Sequence, residues 1–583
     1  MTEAQESSGP SLKRRTLLTG AAAAALALPA AVRANSAREW QEETDVVVVG
    51  GGAAGCVAAS TARDAGAQVI LCEKAGFLGG TSAKSGGGYW IPNNFDLQAR
   101  GVADPKEDFL KFTIKYSYPA AYDPQHRTLG VPENTFALIG AYYDHANAMV
   151  EHMASIGALQ SAPFPIPTAN GVTYYPDYLE HIAENVTPRG RLLVPKRADG
   201  VLSAGDELMS QLSQHVQRSG VKVMLDSPVV DIVQDEAGAV IGVVVTSGTG
   251  TRAIRARRGV IFGSGGYSQN PDLVRDFQPF PIFGRCALPG CTGDFVRLGA
   301  RAGARLGNMT GAWRAQCVVE HALEYQSLPM DVFWTIGDSV FVVNKYGQRC
   351  FNEKRNYQDR TRQCYVWDAT RAEYPNLLTF PIYDRRTAEL FAGNYPLPDV
   401  PADDACVISA DTLEGLAAAL DERLAKLASH TGGVRLDASF QENLKESFGR
   451  FNRYAREGRD PEFHRGLNPY DVESHLADQI QQAGTQWPPN PYPCPAMHPL
   501  LESGPYYTMV LGPGVMDTNG GPVIGPTAAV LDSAGKAIAG LYGAGNCIAS
   551  PAADAYWGPG ATLGPAMTFG YIAGKSAASR RPA

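Results

Sequence analysis

The sequence predicts an α/β fold built on a parallel sheet, and three observations predict it. Thr44-Asp45-Val-Val-Val-Val-Gly50 is a short β-branched run of the kind buried in a parallel sheet. It ends in Gly50-Gly51-Gly52-Ala53-Ala54-Gly55, followed by a helical stretch to Gly66. A second apolar run, Gln68 to Cys72, closes on Glu73, eighteen residues beyond Gly55. Strand, glycine triplet, helix, strand and acid together make a dinucleotide fingerprint in its required context. Gly50 makes the turn, Gly52 lets a pyrophosphate approach, and Gly55 allows the helix to pack closely on the strand. Glu73 accepts hydrogen bonds from a ribose diol, and Ala53, Ala54 and Lys74 complete this first set of cofactor residues.

Length and composition bound the rest. A chain of 583 residues is expected to divide into at least two domains. Its 44% hydrophobic and 19% charged content is that of a globular protein. A net charge of −8 gives no reason to expect nucleic acid as a partner. Ten cysteines occur without a Cys-x-x-Cys pair, so no metal site and no haem attachment are expected. At the amino end, Lys13-Arg14-Arg15-Thr-Leu-Leu precedes an apolar run from Ala21 to Ala31 and a small-residue site, Val32-Arg33-Ala34. That run is too short to span a membrane. The twin arginine before an alanine-rich segment resembles the signal that exports folded proteins. Residues 1–34 are therefore expected to be a twin-arginine signal peptide, and the mature chain to be periplasmic or otherwise extracytoplasmic, with no integral membrane span.

A second glycine-rich loop follows the first: Gly79-Gly80-Thr-Ser-Ala-Lys-Ser-Gly-Gly-Gly88. Its backbone donors can wrap the remainder of an extended cofactor, and it resembles the flavin-binding loop of the fumarate reductase flavoproteins. Gly79, Gly80, Thr81, Ser82, Ser85, Gly86 and Gly87 are its expected cofactor residues. The run Arg257 to Gly266 resembles the strand and turn by which that family returns to its cofactor, with Gly265 and Gly266 at the site. Val230, in a strand over Val229 to Val233, and Asp294, in Thr292-Gly293-Asp294, are further family elements. The resemblance implies non-covalent FAD, since no histidine lies in the flavin loop. It also implies a Rossmann-like FAD-binding domain of the glutathione-reductase type, discontinuous over 40–308 and 492–583. Between these parts, 309–491 is expected as an inserted α+β catalytic or capping domain, because aromatics and charges become denser there.

The carboxyl end selects a branch. Gly545-Asn546 and then Tyr556-Trp-Gly-Pro-Gly-Ala-Thr-Leu-Gly-Pro-Ala-Met-Thr-Phe-Gly-Tyr571 closely resemble the 3-ketosteroid Δ1-dehydrogenases. Proline in a first helical turn and flanking glycines read as a helix start whose free N–H groups welcome a developing oxyanion. The resemblance implies that the Tyr556 hydroxyl and the Gly560 N–H hold a substrate carbonyl, with Gly545, Asn546, Ala561, Thr562 and Leu563 at the cofactor. Gly347-Gln-Arg-Cys-Phe-Asn-Glu353-Lys-Arg-Asn-Tyr357 resembles the segment ending in the family's catalytic tyrosine, which makes Tyr357 the base that removes the α proton. Thr173-Tyr174-Tyr175-Pro176 resembles the segment of a supporting tyrosine, Tyr174, with Tyr175 the alternative by one position. Trp557 departs from the family, which usually carries a smaller residue there. The implied activity is α,β-dehydrogenation of a carbonyl compound, 3-ketosteroid 1,2-dehydrogenation above all, on a small hydrophobic keto substrate and with an external electron acceptor that the sequence does not name. The alternatives are a dicarboxylate or other enone reductase on the same fold, or a flavin-binding electron-transfer protein without catalysis.

Overall fold

The computed structural model describes residues 39–168, 171–248, 250–328, 335–479 and 488–582. The twin-arginine segment lies outside the described residues. The β-branched run becomes strand Glu42–Val49, six of whose eight residues are buried, and the next twelve helical residues are Ala53–Asp64. Strand Val69–Cys72 lies parallel beside the first, and Lys222–Met224 continues the sheet on that side. On the other side comes Gly250–Phe262, and then Ala537–Gly543, both parallel to their neighbours. This central sheet has eight strands, with the antiparallel pair Val229–Gln234 and Val240–Ser247 attached through Gly250–Phe262. The result is a mixed α/β fold whose parallel strands come from both ends of the chain.

Burial explains why the valine run sits at the centre. Val46, Val47 and Val48 are fully buried, so neither face of the strand tolerates a polar residue. Gly55 is needed where helix meets strand: a Cβ there would stand 1.9 Å from the Gly50 carbonyl oxygen. The carboxyl-terminal helix Leu563–Ser579, buried along most of its length, packs on Ala53–Asp64 and carries the glycine-proline turn to the sheet's ligand end.

A second core lies in the region of changed texture. Val340–Val343, Phe380–Asp384, Tyr506–Thr508 and Ile408–Ala410 form an antiparallel four-stranded sheet in that order. Helices Leu413–Lys426 and Phe440–Glu457 contribute Leu416, Leu420, Leu444 and Phe451 to its apolar cluster with Phe341 and Phe380. Tyr506–Thr508, which the sequence reading placed with the cofactor region from 492 onward, pairs in this second sheet. The return begins with Leu511–Thr518, which pairs with Ala312–Val318 and carries Met516 and Asp517 to the cleft between the cores.

Candidate active site

Two hollows meet at the carboxyl ends of the parallel strands. The larger, about 440 Å³, is lined by Gly50, Gly52, Ala53, Ala54, Glu73 and Lys74 and by Gly80, Thr81 and Ser82 of the second loop. Gly265, Asp294, Gly545, Asn546, Thr562 and Leu563 complete the expected set that lines it. The smaller, about 310 Å³, is lined by Ser85, Gly86, Gly87, Phe164, Tyr175, Tyr178, Leu192, Val194, Trp313, Tyr357, Tyr556 and Gly560. Thr81, Ser82, Asp517, Asn546, Thr562 and Leu563 border both.

The larger hollow fits an extended dinucleotide. A Cβ built on Gly52 would meet nothing nearer than Ser82 Oγ at 3.7 Å, so this side of the loop is open for a close backbone contact. The start of helix Ala53–Asp64 faces the same space, where its positive dipole end suits a pyrophosphate. The Gly51 N–H donates to Glu73 Oε2 at 2.6 Å and the Ala75 N–H to Oε1 at 2.7 Å, which leaves each oxygen a lone pair for a diol. Lys74 is held by Asp294 at 3.0 Å and is half-turned to solvent, so its role is to brace the rim.

Several expected cofactor residues stand off the hollow. Val230 points to solvent while its neighbour Val229 lines the wall, a one-residue slip that in a strand exchanges the two faces. Gly266 gives its N–H to Asp517 Oδ2 at 2.8 Å. Gly79 shapes the loop through its N–H to the Gly51 carbonyl, and Ala561 is fully buried behind the turn. Gly55 does the packing already described. The residue missed is Asp517. It is buried, borders both hollows, and accepts from Gly266, Ser268 and Asn546, with burial raising its carboxyl above the usual range. No spacing marks it, because Gly266 and Ser268 lie some 250 residues away and Asn546 is 29 residues further on.

In the smaller hollow three tyrosines converge. The rings of Tyr357 and Tyr556 meet edge to face at 5.4 Å and those of Tyr178 and Tyr357 at 5.6 Å, while Tyr178 and Tyr556 are tilted at 5.2 Å. The Tyr178 hydroxyl donates to Tyr357 Oη at 2.9 Å, and Tyr357 in turn donates to Tyr556. Thr562 Oγ1 donates to Tyr556 Oη at 3.1 Å. Burial pushes the Tyr357 phenol well above its ordinary value and the nearby Tyr556 adds to this, while the bond from Tyr178 opposes it. Burial also raises Tyr556, against the bonds from Thr562 and Tyr357. Trp313 closes the cluster, its ring 5.1 Å from Tyr556 and its Nε1–H on Asn546 Oδ1 at 2.9 Å.

The hydroxyl that bonds Tyr357 is thus that of Tyr178, not of Tyr174 or Tyr175. Tyr174 ends the hairpin strand Gly171–Tyr174 with its ring under the Arg100 guanidinium, 3.9 Å away. Tyr175 lines the hollow, but the hydroxyl on Tyr357 comes from three residues further on. The cause is a buried knot. Asp177 accepts from Trp90 Nε1 at 2.6 Å and from Arg191, which also grips Asp104 through two bonds at 2.7 and 2.9 Å. With Asp177 so fixed, Tyr178 is turned inward. Its N–H meets the Trp557 carbonyl at 3.3 Å, and Arg355 donates to its carbonyl. Trp557 itself stays out of the hollow, buried against Tyr142 and Trp90 with its Nε1–H on Ser117 Oγ.

Tyr357 opens the short helix Tyr357–Arg362, capped by Asn356. Arg349, two bonds to Glu353 at 2.8 Å each, steadies the turn before it. Gly560 has φ +86°, and a Cβ there would stand 2.5 Å from the Gly88 carbonyl carbon, so only glycine brings this backbone against the second loop. Among the described residues its N–H has no hydrogen-bond partner, and it borders the hollow with Tyr556.

The cationic groups that a dicarboxylate site would require lie elsewhere. Arg349 is paired with Glu353 and Asp460, Arg355 with Glu180 and Asp471, and Arg362 with Asp359 and Asp554. Arg360 donates to Thr335 Oγ1, and His498 meets the Pro499 carbonyl. Among the described residues that line the tyrosine hollow there is no lysine, arginine or histidine.

Comparison with known proteins agrees with this geometry. The family described as FAD binding domain matches residues 45–563. The chain is 30% identical over 569 residues to a 4-oxocyclohexanecarboxylate 2-dehydrogenase of Sinomonas cyclohexanicum, covering 90% of this chain and 91% of that one. It is also 30% identical over 588 residues to a 3-oxosteroid 1-dehydrogenase of Mycobacterium tuberculosis, covering 89% and 95%. Among solved structures, it is similar to 3-ketosteroid delta1-dehydrogenase from Sterolibacterium denitrificans in complex with 1,4-androstadiene-3,17-dione. The TM-score is 0.74 at 26% identity, covering 92% of this chain and 100% of that one.

Proposed function

The chain belongs to the FAD-binding domain family and is an FAD-dependent oxidoreductase, and on that premise we propose that it introduces a double bond alpha,beta to the carbonyl of an uncharged ring ketone of 3-ketosteroid type. The observation that carries the proposal is the cluster of Tyr178, Tyr357 and Tyr556 beside Gly560, in a hollow with no cationic side chain among its described lining residues. A carboxylate-bearing substrate, whether a dicarboxylate or a monocyclic keto acid, would lose its hydration there without gaining a partner. FAD, held along the larger hollow, supplies hydride-accepting chemistry when bound. The glutathione-reductase type of the sheet, and the reading of 309–491 as an inserted capping part, belong to the same proposal.

The residues divide the work as follows. The Tyr556 hydroxyl and the Gly560 N–H hold the ketone oxygen and stabilise negative charge on it as the α proton leaves. Thr562 donates to Tyr556, which strengthens Tyr556 as a donor. The Tyr357 oxygen takes the α proton, and for that it must be ionised. Tyr178, donating to that oxygen, favours its charged form. The aromatic walls exclude water from the reacting carbons.

The test is the product: a 3-ketosteroid turned over by the FAD-loaded protein should keep its carbonyl and lose one hydrogen from each of the two neighbouring ring carbons, read by mass spectrometry and ultraviolet absorption. Recovery of unchanged steroid would reject the proposal.

Three expected results follow from the geometry. Because the Tyr357 phenol is held above its ordinary value, the ionised fraction grows with pH, so turnover should climb from neutral into the alkaline range. Tyr178→Phe removes a bond to a charged oxygen, for a loss of roughly 10- to 100-fold, and moves that climb to higher pH. An unmoved pH profile would reduce Tyr178 to packing. Thr562→Val should lower turnover about 3- to 10-fold with FAD retained, the worth of one neutral hydrogen bond. Equal rates would remove Thr562 from the chain of donors. Export by the twin-arginine route is part of the proposal too. Arg14→Lys with Arg15→Lys should leave an FAD-loaded precursor in the cytoplasm, since lysine lacks the planar guanidinium; normal export of the double variant would refute it.

A further inference from the structure

We propose that His321, Asp404 and Cys406 form a zinc site, separate from both hollows. His321 lies on the short helix Val319–Glu324, which continues directly from strand Ala312–Val318. Asp404 and Cys406 lie in the turn between Pro401–Asp403 and strand Ile408–Ala410. One ligand atom from each of the three can be chosen so that all lie within 4.8 Å of one another. His321 Nε2 and Asp404 Oδ2 are 3.1 Å apart. Around a tetrahedral zinc, with bonds of about 2.0 to 2.3 Å, neighbouring ligand atoms stand roughly 3.2 to 3.8 Å apart. The trio therefore needs only small side-chain movements to close on an ion.

The donor set selects the metal. One imidazole nitrogen, one carboxylate oxygen and one thiolate sulfur suit a borderline-soft ion, whereas calcium and magnesium take oxygen. The surroundings favour a dication as well. Glu320 gives one oxygen to Arg423 at 2.5 Å, and its Oε2 is buried without a hydrogen-bond partner among the described residues. The His321 and Asp404 side chains keep 17% and 21% exposure, and all three ligands border a surface hollow of about 610 Å³. An ion can enter from that side, and a water can take the fourth position. A nucleophilic role for Cys406 fits less well. Asp404 stands hydrogen-bonded to both Cys406 and His321, so the imidazole is not the thiol's partner.

A bound ion would tie the helix after Ala312–Val318, the strand that carries Trp313, to the 401–406 turn. The experiment uses the full-length FAD-loaded protein, equilibrated with Zn²⁺, desalted and analysed for metal by mass spectrometry. About one zinc per chain is expected, falling at least tenfold in Cys406→Ser and in His321→Ala with FAD content unchanged. X-ray absorption of the wild type should show one sulfur on the zinc, a reading that does not depend on either variant folding. No retained zinc, zinc without a sulfur ligand, or equal retention by well-folded variants would each overturn the site.

Discussion

Tyr357→Phe should abolish most turnover while leaving a yellow, ketone-binding protein, with a loss on the order of 10²–10⁴ for a missing general base. The substitution removes only the hydroxyl. The ring contacts to Tyr178 and Tyr556, at 5.6 and 5.4 Å, can persist, so the hollow should keep its shape. FAD should stay bound, because Tyr357 does not border the larger hollow. The loss should fall on the catalytic constant and not on ketone affinity, since the proposed proton transfer occurs only after binding. Stopped-flow reduction and a ketone-binding titration separate the two. A wild-type rate would remove Tyr357 from the chemistry.

Tyr556→Phe should cost roughly 10²–10³, as for a lost oxyanion donor, and it should fail differently. The Gly560 N–H remains to hold the ketone oxygen, so a residual rate is expected. Tyr357 also loses the partner that its own hydroxyl faces. That contact raises the Tyr357 phenol, so its removal should shift the alkaline climb of the residual activity to lower pH. Tyr178→Phe is expected to shift it the other way. Opposite displacements of the two pH profiles would therefore distinguish an ordered chain of hydroxyls from three packed rings. Displacement in the same direction would contradict the ordering Tyr178 to Tyr357 to Tyr556.

What the sequence made legible was local. The strand, turn and helix of 44–66 depend on neighbours a few residues away and stand where the spacing places them, whereas the helix expected to open at Gly558-Pro559-Gly560 begins only at Leu563, which leaves Pro559 in a turn ahead of it. Tyr178 was obscured because its direction is set by Asp177 on Trp90 and Arg191, the first of them 87 residues distant. Val230 was displaced by a single step of strand alternation. Asp517 and the His321–Asp404–Cys406 group have no signature in spacing at all. Their members approach only through the pairing of Leu511–Thr518 with Ala312–Val318 and the packing of the turn at 401–406. Tyr506–Thr508 looks like part of the returning cofactor segment until the antiparallel ladder with Ile408–Ala410 and Phe380–Asp384 assigns it to the other core.

The central claim, an uncharged ring ketone oxidised beside Tyr357, Tyr556 and Gly560, is tested most directly by the absorption spectrum of the FAD-loaded protein under anaerobic conditions. Addition of a 3-ketosteroid should bleach the flavin band within the dead time of manual mixing to minutes, whereas succinate and 4-oxocyclohexanecarboxylate at the same concentration should leave it unchanged. Bleaching by either carboxylate with none by any ring ketone that lacks a carboxylate would contradict the account.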